Sequence, residues 1–309
     1  MDPVRLLLIS STAVLSLMLL IEWNQYSDEY QKQQSDLYSA AIAEPLMLGD
    51  ETAGTPLSGG LDEGIPSVNQ EASPLAVFLD DSETFTLSTD TLNLVISADG
   101  GDVVSASLPK FPVRLDAPDQ PFRLLENNSL RRYVAQSGLI GPDGIDASGN
   151  RARYASQGLT NNGDGSHTLT LAWTRNDPLG LQVYKRFSAY DDRYDVDVSF
   201  DIRNGGRSVA SITSFAQLKR DNTQAPDGNT GFGVSPYLGA ALTQPDERYT
   251  KLSFSDLGDG PFSKRLPAGW VAILQHYFVS AWIPSQQTSH DYFASQLSNG
   301  DNVIGYKNQ

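Results

Sequence analysis

Two hydrophobic patterns divide the chain. Residues 6–21, LLLISSTAVLSLMLLI, form its longest uncharged apolar run, whereas the sequence beyond residue 77 alternates apolar and polar positions in short segments. Taken from 4 to 23, the first segment holds 20 residues. At about 1.5 Å of rise each, that is about 30 Å, the hydrocarbon thickness of a bilayer. The pattern predicts a membrane helix over residues 1–25, with Leu6, Leu7, Leu8, Ile9, Leu15, Leu17, Leu19, Leu20 and Ile21 in its apolar body and Trp23 at the interface. Arg5 precedes the run, while Glu22, Asp28 and Glu29 follow it, which orients the N-terminus to the cytoplasm. The first small-x-small pattern, Ala41-Ile42-Ala43, stands about twenty residues too far on for signal-peptide cleavage, so the segment reads as a retained anchor.

Residues 26–39 are polar and Gln-rich, and residues 43–74 combine Pro45, Pro56, Pro66 and Pro74 with five glycines and many acids. Such a composition cannot bury enough apolar surface to offset the entropy of ordering, so residues 26–76 read as a flexible acidic linker. From residue 77 to 309 the elements are strands. Residues 92–97 and 103–108 flank Ala98-Asp99-Gly100-Gly101-Asp102 as a hairpin, with Gly100 and Gly101 suited to positive φ. Pro109 and Pro112 are expected to bracket a loop. Gly141-Pro142-Asp143-Gly144 marks another connection, and residues 161–165 separate strands over 154–159 and 167–174.

The clearest period of two spans 194–202, where Tyr194, Val196, Val198 and Phe200 face one way and Asp195, Asp197 and Asp201 the other. Asn204-Gly205-Gly206 then turns the chain into an expected strand over 209–215. Residues 214–249, with three prolines and several glycines, read as long loops with short strands and as a candidate recognition surface. Residues 269–284, GWVAILQHYFVSAWIP, fit either a helix or strands by period. In a β context two consecutive core strands are expected, with Trp270, Ile273, Tyr277, Phe278 and Trp282 as core candidates. The fold class is mainly β.

Lys plus Arg number 22 against 37 Asp plus Glu, a net charge of −15. Nucleic acid is excluded as a partner, since phosphate binding needs clustered cations. There is no cysteine, so disulfides and thiol chemistry are absent. His167, His276 and His290 have no metal-ligand spacing, and Asp143, Asp146 and Asn150 lack the spacing of a calcium loop. The phosphate loop, the dinucleotide glycines and the nucleophile elbow are all missing, and no carboxylate pair stands out. These residues specify no cofactor and no catalytic or metal site.

Residues 91–108 (TLNLVISADGGDVVSASL) followed by Pro109, residues 133–144 (YVAQSGLIGPDG), residues 269–284 and residues 304–309 (IGYKNQ) carry a resemblance, together with the anchor and acidic linker. The chain resembles the YidC branch of the YidC/Oxa1/Alb3 membrane protein insertases. That resemblance implies an inner-membrane protein that helps nascent membrane proteins enter and fold in the bilayer, alone or with the Sec translocon. It implies a periplasmic β-supersandwich similar to mutarotase-like folds, a contact with the Sec accessory proteins SecD and SecF, and an insertase core of five further helices. This chain would be the N-terminal part without that core, so no insertion-site residue carries over. Two other readings stand beside it: an anchored carbohydrate-binding module, and a mutarotase-type enzyme working through a carboxylate, His167 or His276.

Overall fold

The structure, a computed structural model, describes residues 82–114, 117–146, 151–175, 180–223, 237–275 and 277–308. The anchor expected over 1–25 and the linker expected over 26–76 lie outside the described residues. Among the described residues no helix is long and apolar enough to cross a membrane.

The chain runs through β1 (Thr84–Ser88), β2 (Asn93–Ser97), β3 (Val103–Arg114), β4 (Ala117–Asn127), β5 (Arg132–Ile140), β6 (Tyr154–Asn161), β7 (Ser166–Trp173), β8 (Leu181–Tyr190) and β9 (Val196–Asn204). It continues through β10 (Thr213–Arg220), β11 (Leu238–Leu242), β12 (Thr250–Ser253), helix α1 (Phe254–Asp259), β13 (Phe262–Leu266), β14 (Val271–Gln275), β15 (Phe278–Trp282), β16 (His290–Gln296) and β17 (Asn302–Lys307). Three antiparallel sheets result: nine strands in the order β1-β2-β3-β4-β5-β10-β17-β16-β13, four in the order β12-β11-β14-β15, and four in the order β6-β7-β8-β9. The fold is mainly β.

Alternation builds the layers. In β1 the pattern TFTLS buries Phe85 and Leu87 and exposes the three polar residues, and in β8 every second residue from Leu181 to Ala189 is buried. One apolar cluster joins all three sheets: Leu87, Leu94 and Ile96 with Leu169, Leu171 and Phe187 at one end, and Tyr133, Leu218 and Ile304 with Leu242, Val271 and Ile273 at the other. Accordingly β7 lies against β1, β15 against β10 and β14 against β17. The two-glycine turn after β2 has Gly100 at φ 75° and Gly101 at φ 58°, where a side chain would be strained.

Several expectations need correction. Pro109 and Pro112 do not bracket a loop but lie inside β3, and the register with β4 shifts around Pro112. An irregular ladder is where a strand tolerates residues lacking an N–H. The strand expected over 209–215 starts only at Thr213, and Val209 is 96% exposed in the preceding loop. Residues 214–220, expected within a region of long loops with short strands, belong to β10, a central strand buried on both faces. Its polar letters misled because Gln217, Lys219 and Arg220 make their polar contacts inside the protein rather than with water. Helix α1 appears in none of the expectations, although Ser253 and Asp256 form a capping box, each side chain accepting the other's backbone N–H at 3.1 Å.

β14 and β15 are consecutive strands, paired from Val271 with Trp282 to Gln275 with Phe278. Ile273 is fully buried, Phe278 and Trp282 pack against the core, and Trp270 is half-buried beside Tyr249 at 6.2 Å between ring centroids. Tyr277 is not a core residue. It is 82% exposed, because it sits in the turn between β14 and β15, where the chain reverses at the edge of the sheet.

Trp282 donates its indole N–H to the Gln217 carbonyl at 3.0 Å. Trp282→Ala should therefore cost about 3 kcal/mol, read as a lowered denaturant midpoint, through lost packing and the lost indole hydrogen bond. Gly305 on β17 lies so close to β10 that an added Cβ would overlap the Ala216 carbonyl and reach 2.7 Å from Gln217 Cβ. Gly305→Ala is expected to lose about 2 kcal/mol by the same measurement, against near-neutrality for Gly260→Ala, which meets open space.

Candidate functional site

The most polar part of the interior is built by the β2–β3 turn, β5 and β8. Lys185 falls on the buried face of β8, between Val183 and Phe187, so its ammonium must find partners inside. It donates to the carbonyls of Gly100 at 2.9 Å, Gly101 at 2.8 Å and Ser137 at 2.8 Å. Arg151 pairs with Asp102 and stands 2.9 Å from Asp146. Asp102 also accepts from Gln136 at 2.7 Å, and Asp146 from the backbone N–H groups of Leu139 at 2.8 Å and Ala152 at 3.0 Å. Gly138 has no side chain to spare here, since a Cβ would overlap the Asp146 carboxylate. Two acids and two bases thus close on one another, with backbone groups taking up several of their donors and acceptors while Arg151 Nε stays without a hydrogen-bond partner. The arrangement locks a turn and two strands together and leaves no open position for a reactant.

The other candidate chemistry is dispersed. Asp143 accepts the backbone N–H of Ser211 at 2.7 Å while Asp146 is fully buried, and Asn150 lies outside the described residues. His167 on β7 meets Asp191 at 3.0 Å, and His290 on β16 meets Asn308 at 2.6 Å and the Ser285 carbonyl at 2.7 Å. His276 lies outside the described residues. Among the described residues no three His, Asp or Glu side chains are placed to hold a metal.

A surface of another kind appears where the sheets meet. Phe111 of β3 lies 5.9 Å from Tyr194 and 5.9 Å from Phe278 of β15, and Phe278 stacks on Phe122 of β4 at 4.1 Å between centroids. Phe111 and Tyr194 remain nearly half exposed. The seam continues into β15, which ends its sheet and pairs with no second strand among the described residues. Tyr277, Val279 and Ile283 are exposed along it, and residues 277–283 (YFVSAWI) carry no charge. An uncharged edge with outward apolar side chains is the geometry that accepts an added strand, and exposed aromatics beside it can anchor a partner. Sequence reasoning placed recognition in 214–249 and missed this edge. The available signal was the uncharged run after residue 276, read then as core.

Residues 84–309 match the family model described as the YidC periplasmic domain. The chain belongs to this family. Similar relatives include the proteins named membrane protein insertase YidC from Pseudomonas entomophila strain L48, 38% identical over 99% of this chain and 54% of that protein, and from Pseudomonas putida strain F1, with the same values. The insertase YidC of Pseudomonas paraeruginosa strain PA7 is 34% identical over 99% of this chain and 56% of its own length. The chain spans about half the length of the curated relatives it matches. Among solved structures, a galactose mutarotase related enzyme from Lactobacillus acidophilus superposes with TM-score 0.47 at 12% identity, covering 73% of this chain and 84% of that one. A galactose mutarotase-like protein from Lactobacillus casei gives TM-score 0.46 at 8% identity, over 73% and 87%.

The polar centre of this YidC-family domain makes its stability depend on pH. Burial pushes the Lys185 ammonium down from 10.5 to about 7; Asp102 and Asp146 pull it back up and Arg151 presses it further down. Between those two values the unfolded chain holds the proton more tightly, so stability should rise as pH goes from about 7 towards 10. The melting temperature is expected to climb over that range and the climb to flatten in Lys185→Met; an unchanged slope in the variant would place the titration elsewhere.

Proposed function

We propose that this chain is the membrane-anchored periplasmic part of a YidC-type membrane protein insertase, and that the β15 edge is where the domain meets other proteins. Residues 1–25 would be the anchor with its N-terminus in the cytoplasm, residues 26–76 the acidic linker, and residues 77–309 a β-supersandwich in the periplasm. The observation that carries this reading is the family match over 84–309, and the 38% identity to named insertases supports it. No bond is made or broken in the proposed activity. The work is non-covalent: nascent membrane proteins are taken up and passed to the inner membrane, alone or beside the Sec translocon.

The domain's share of that work is contact, and its surface is suited to contact. Val279 is exposed on β15, whose outer N–H and C=O groups meet no further strand among the described residues, and Tyr277 and Ile283 flank it in the turn before and just after the strand. An extended segment of SecD or SecF would pair with those groups along β15 while its own apolar residues settle on the Phe111, Phe278 and Tyr194 seam. The domain's acidity keeps it off anionic headgroups and so available to a protein.

A photo-crosslinker placed at Tyr277 or Val279 in inner membranes tests the surface. Crosslinks to SecD or SecF, lost on adding Ala281→Pro to interrupt the edge, are expected. Equal crosslinking from Thr160, which is exposed on a different sheet, would remove β15 as the docking strand.

A further inference from the structure

The sheet of β12, β11, β14 and β15 is apolar on both faces, and only one of them belongs to the core. Its inner face sets Ala240, Leu242, Val271 and Ile273 against the large sheet, with Gln275 as a polar member that accepts from Arg131 at 2.9 Å and from Arg220. The strand registers arrange the outer face in cross-strand rows. Ala241, Ala272 and Ala281 stand side by side in one, which ends on Lys251 of β12. Gly239, Leu274 and Val279 form the next, which ends on Ser253. Lys251 is the one charge in either row. An antiparallel sheet whose other face is in the core ordinarily turns polar residues outward, as β9 does with Asp197 and Ser199.

Aromatic rings stand around these rows. A Cβ on Gly239 would overlap the Tyr237 ring, and Tyr249 lies 6.2 Å from Trp270. The Lys251 ammonium is 4.6 Å from the Tyr237 centroid and 5.8 Å from that of Tyr249. At the β15 side Val279, Ile283 and Tyr277 are exposed. Acids stay off the face. Glu247 and Asp256 lie beyond the two ends of β12, where they accept from the Thr250 hydroxyl at 3.2 Å and from the Ser253 backbone N–H at 3.1 Å.

An aliphatic centre rimmed by Tyr and Trp, with a cation and no acid, matches the interfacial layer of a bilayer, where such rings lie at headgroup level and a lysine reaches phosphate. In a chain of net charge −15 the missing acids are the discriminating feature. Lipid phosphates repel carboxylates, whereas a protein partner could meet them with cations of its own.

We infer that the outer face of this sheet lies in the headgroup layer of a phospholipid bilayer. The inference rests on the anchor proposed for residues 1–25, which holds the domain beside a membrane, and does not depend on SecD or SecF. The acids that keep the domain off headgroups sit on other faces, β9 among them, and so turn this face towards the bilayer. The open edge of β15 then runs along the membrane surface.

The chain has no cysteine, so a single introduced one can carry an environment-sensitive fluorophore. The whole chain is reconstituted in phosphatidylcholine vesicles with the label at Ile283→Cys, at Leu15→Cys in the proposed anchor, or at Thr160→Cys on a different sheet. Spin-labelled lipid should quench the labels at 283 and 15 and spare the one at 160. Adding Val279→Glu, which places an acid on the face, should abolish the quenching at 283. Quenching at 15 without quenching at 283 overturns this inference and leaves the anchor standing. Quenching at 283 without quenching at 15 removes the anchor and keeps the face. A label at 283 that shifts to the blue yet resists the lipid quencher reveals a protein cover, and quenching that is equal at 160 or survives Val279→Glu reveals mere proximity; either result overturns the contact.

Discussion

Lys219 and Arg220 are neighbours in β10, so they point to opposite faces of a strand that is buried on both. Water cannot serve either charge. On one face Asp301 approaches Lys219 at 3.2 Å and is shared with Arg132 at 2.6 Å, while Gln217 reaches Gln136 at 2.9 Å. On the other face Gln275 arrives from β14 to meet Arg220. A cation left without its partner there would cost several kcal/mol, more than one apolar contact returns. The layers against β10 are therefore specified by the polar groups they carry as much as by their apolar area. A shift of β14 by one residue would turn Gln275 away and bring an aliphatic side chain to Arg220.

The same logic governs β8. Lys185 interrupts an otherwise apolar inward face, and three carbonyls close on it from the β2–β3 turn and from β5. The two turn carbonyls reach it because the turn is tight: Gly100 and Gly101 both have positive φ, and a Cβ on Gly101 would come 2.9 Å from the lysine stem. The glycines thus act twice, permitting the turn and admitting the side chain that holds it.

These facts also mark what the sequence disclosed. The β2–β3 hairpin and the period-two strand seen as β9 were readable, as were the glycine turns and the two-strand reading of 269–284, whereas β8 went unread although it alternates throughout. β10 was not readable, because polarity along a chain signals solvent only when no internal partner exists, and Asp301, Gln136 and Gln275 are distant in sequence. The prolines of β3 misled for a related reason: whether a missing N–H matters depends on the partner strand's register. Lys185 was legible in principle, since the alternation of 181–189 assigns it to the buried face. The aromatic seam was not, since Phe111, Phe122, Tyr194 and Phe278 come from two sheets and the β8–β9 connection and only the fold brings them together.

Exposed edges are usually defended by lysine, proline or a bulge, because an open ladder invites any chain. β15 has none of these between Phe278 and Trp282, and its pairing with β14 is regular throughout. It is also firmly seated: Trp282 is hydrogen-bonded to β10, Phe278 is stacked on β4, and its neighbour β14 carries Gln275 into the arginine pair. A frayed strand could evade unwanted pairing by melting, but this one is held in the extended geometry a partner strand needs. The polar layer behind β15 and the undefended edge in front of it are two sides of one hairpin. Rigidity from the first removes part of the ordering entropy that strand addition to the second must otherwise overcome.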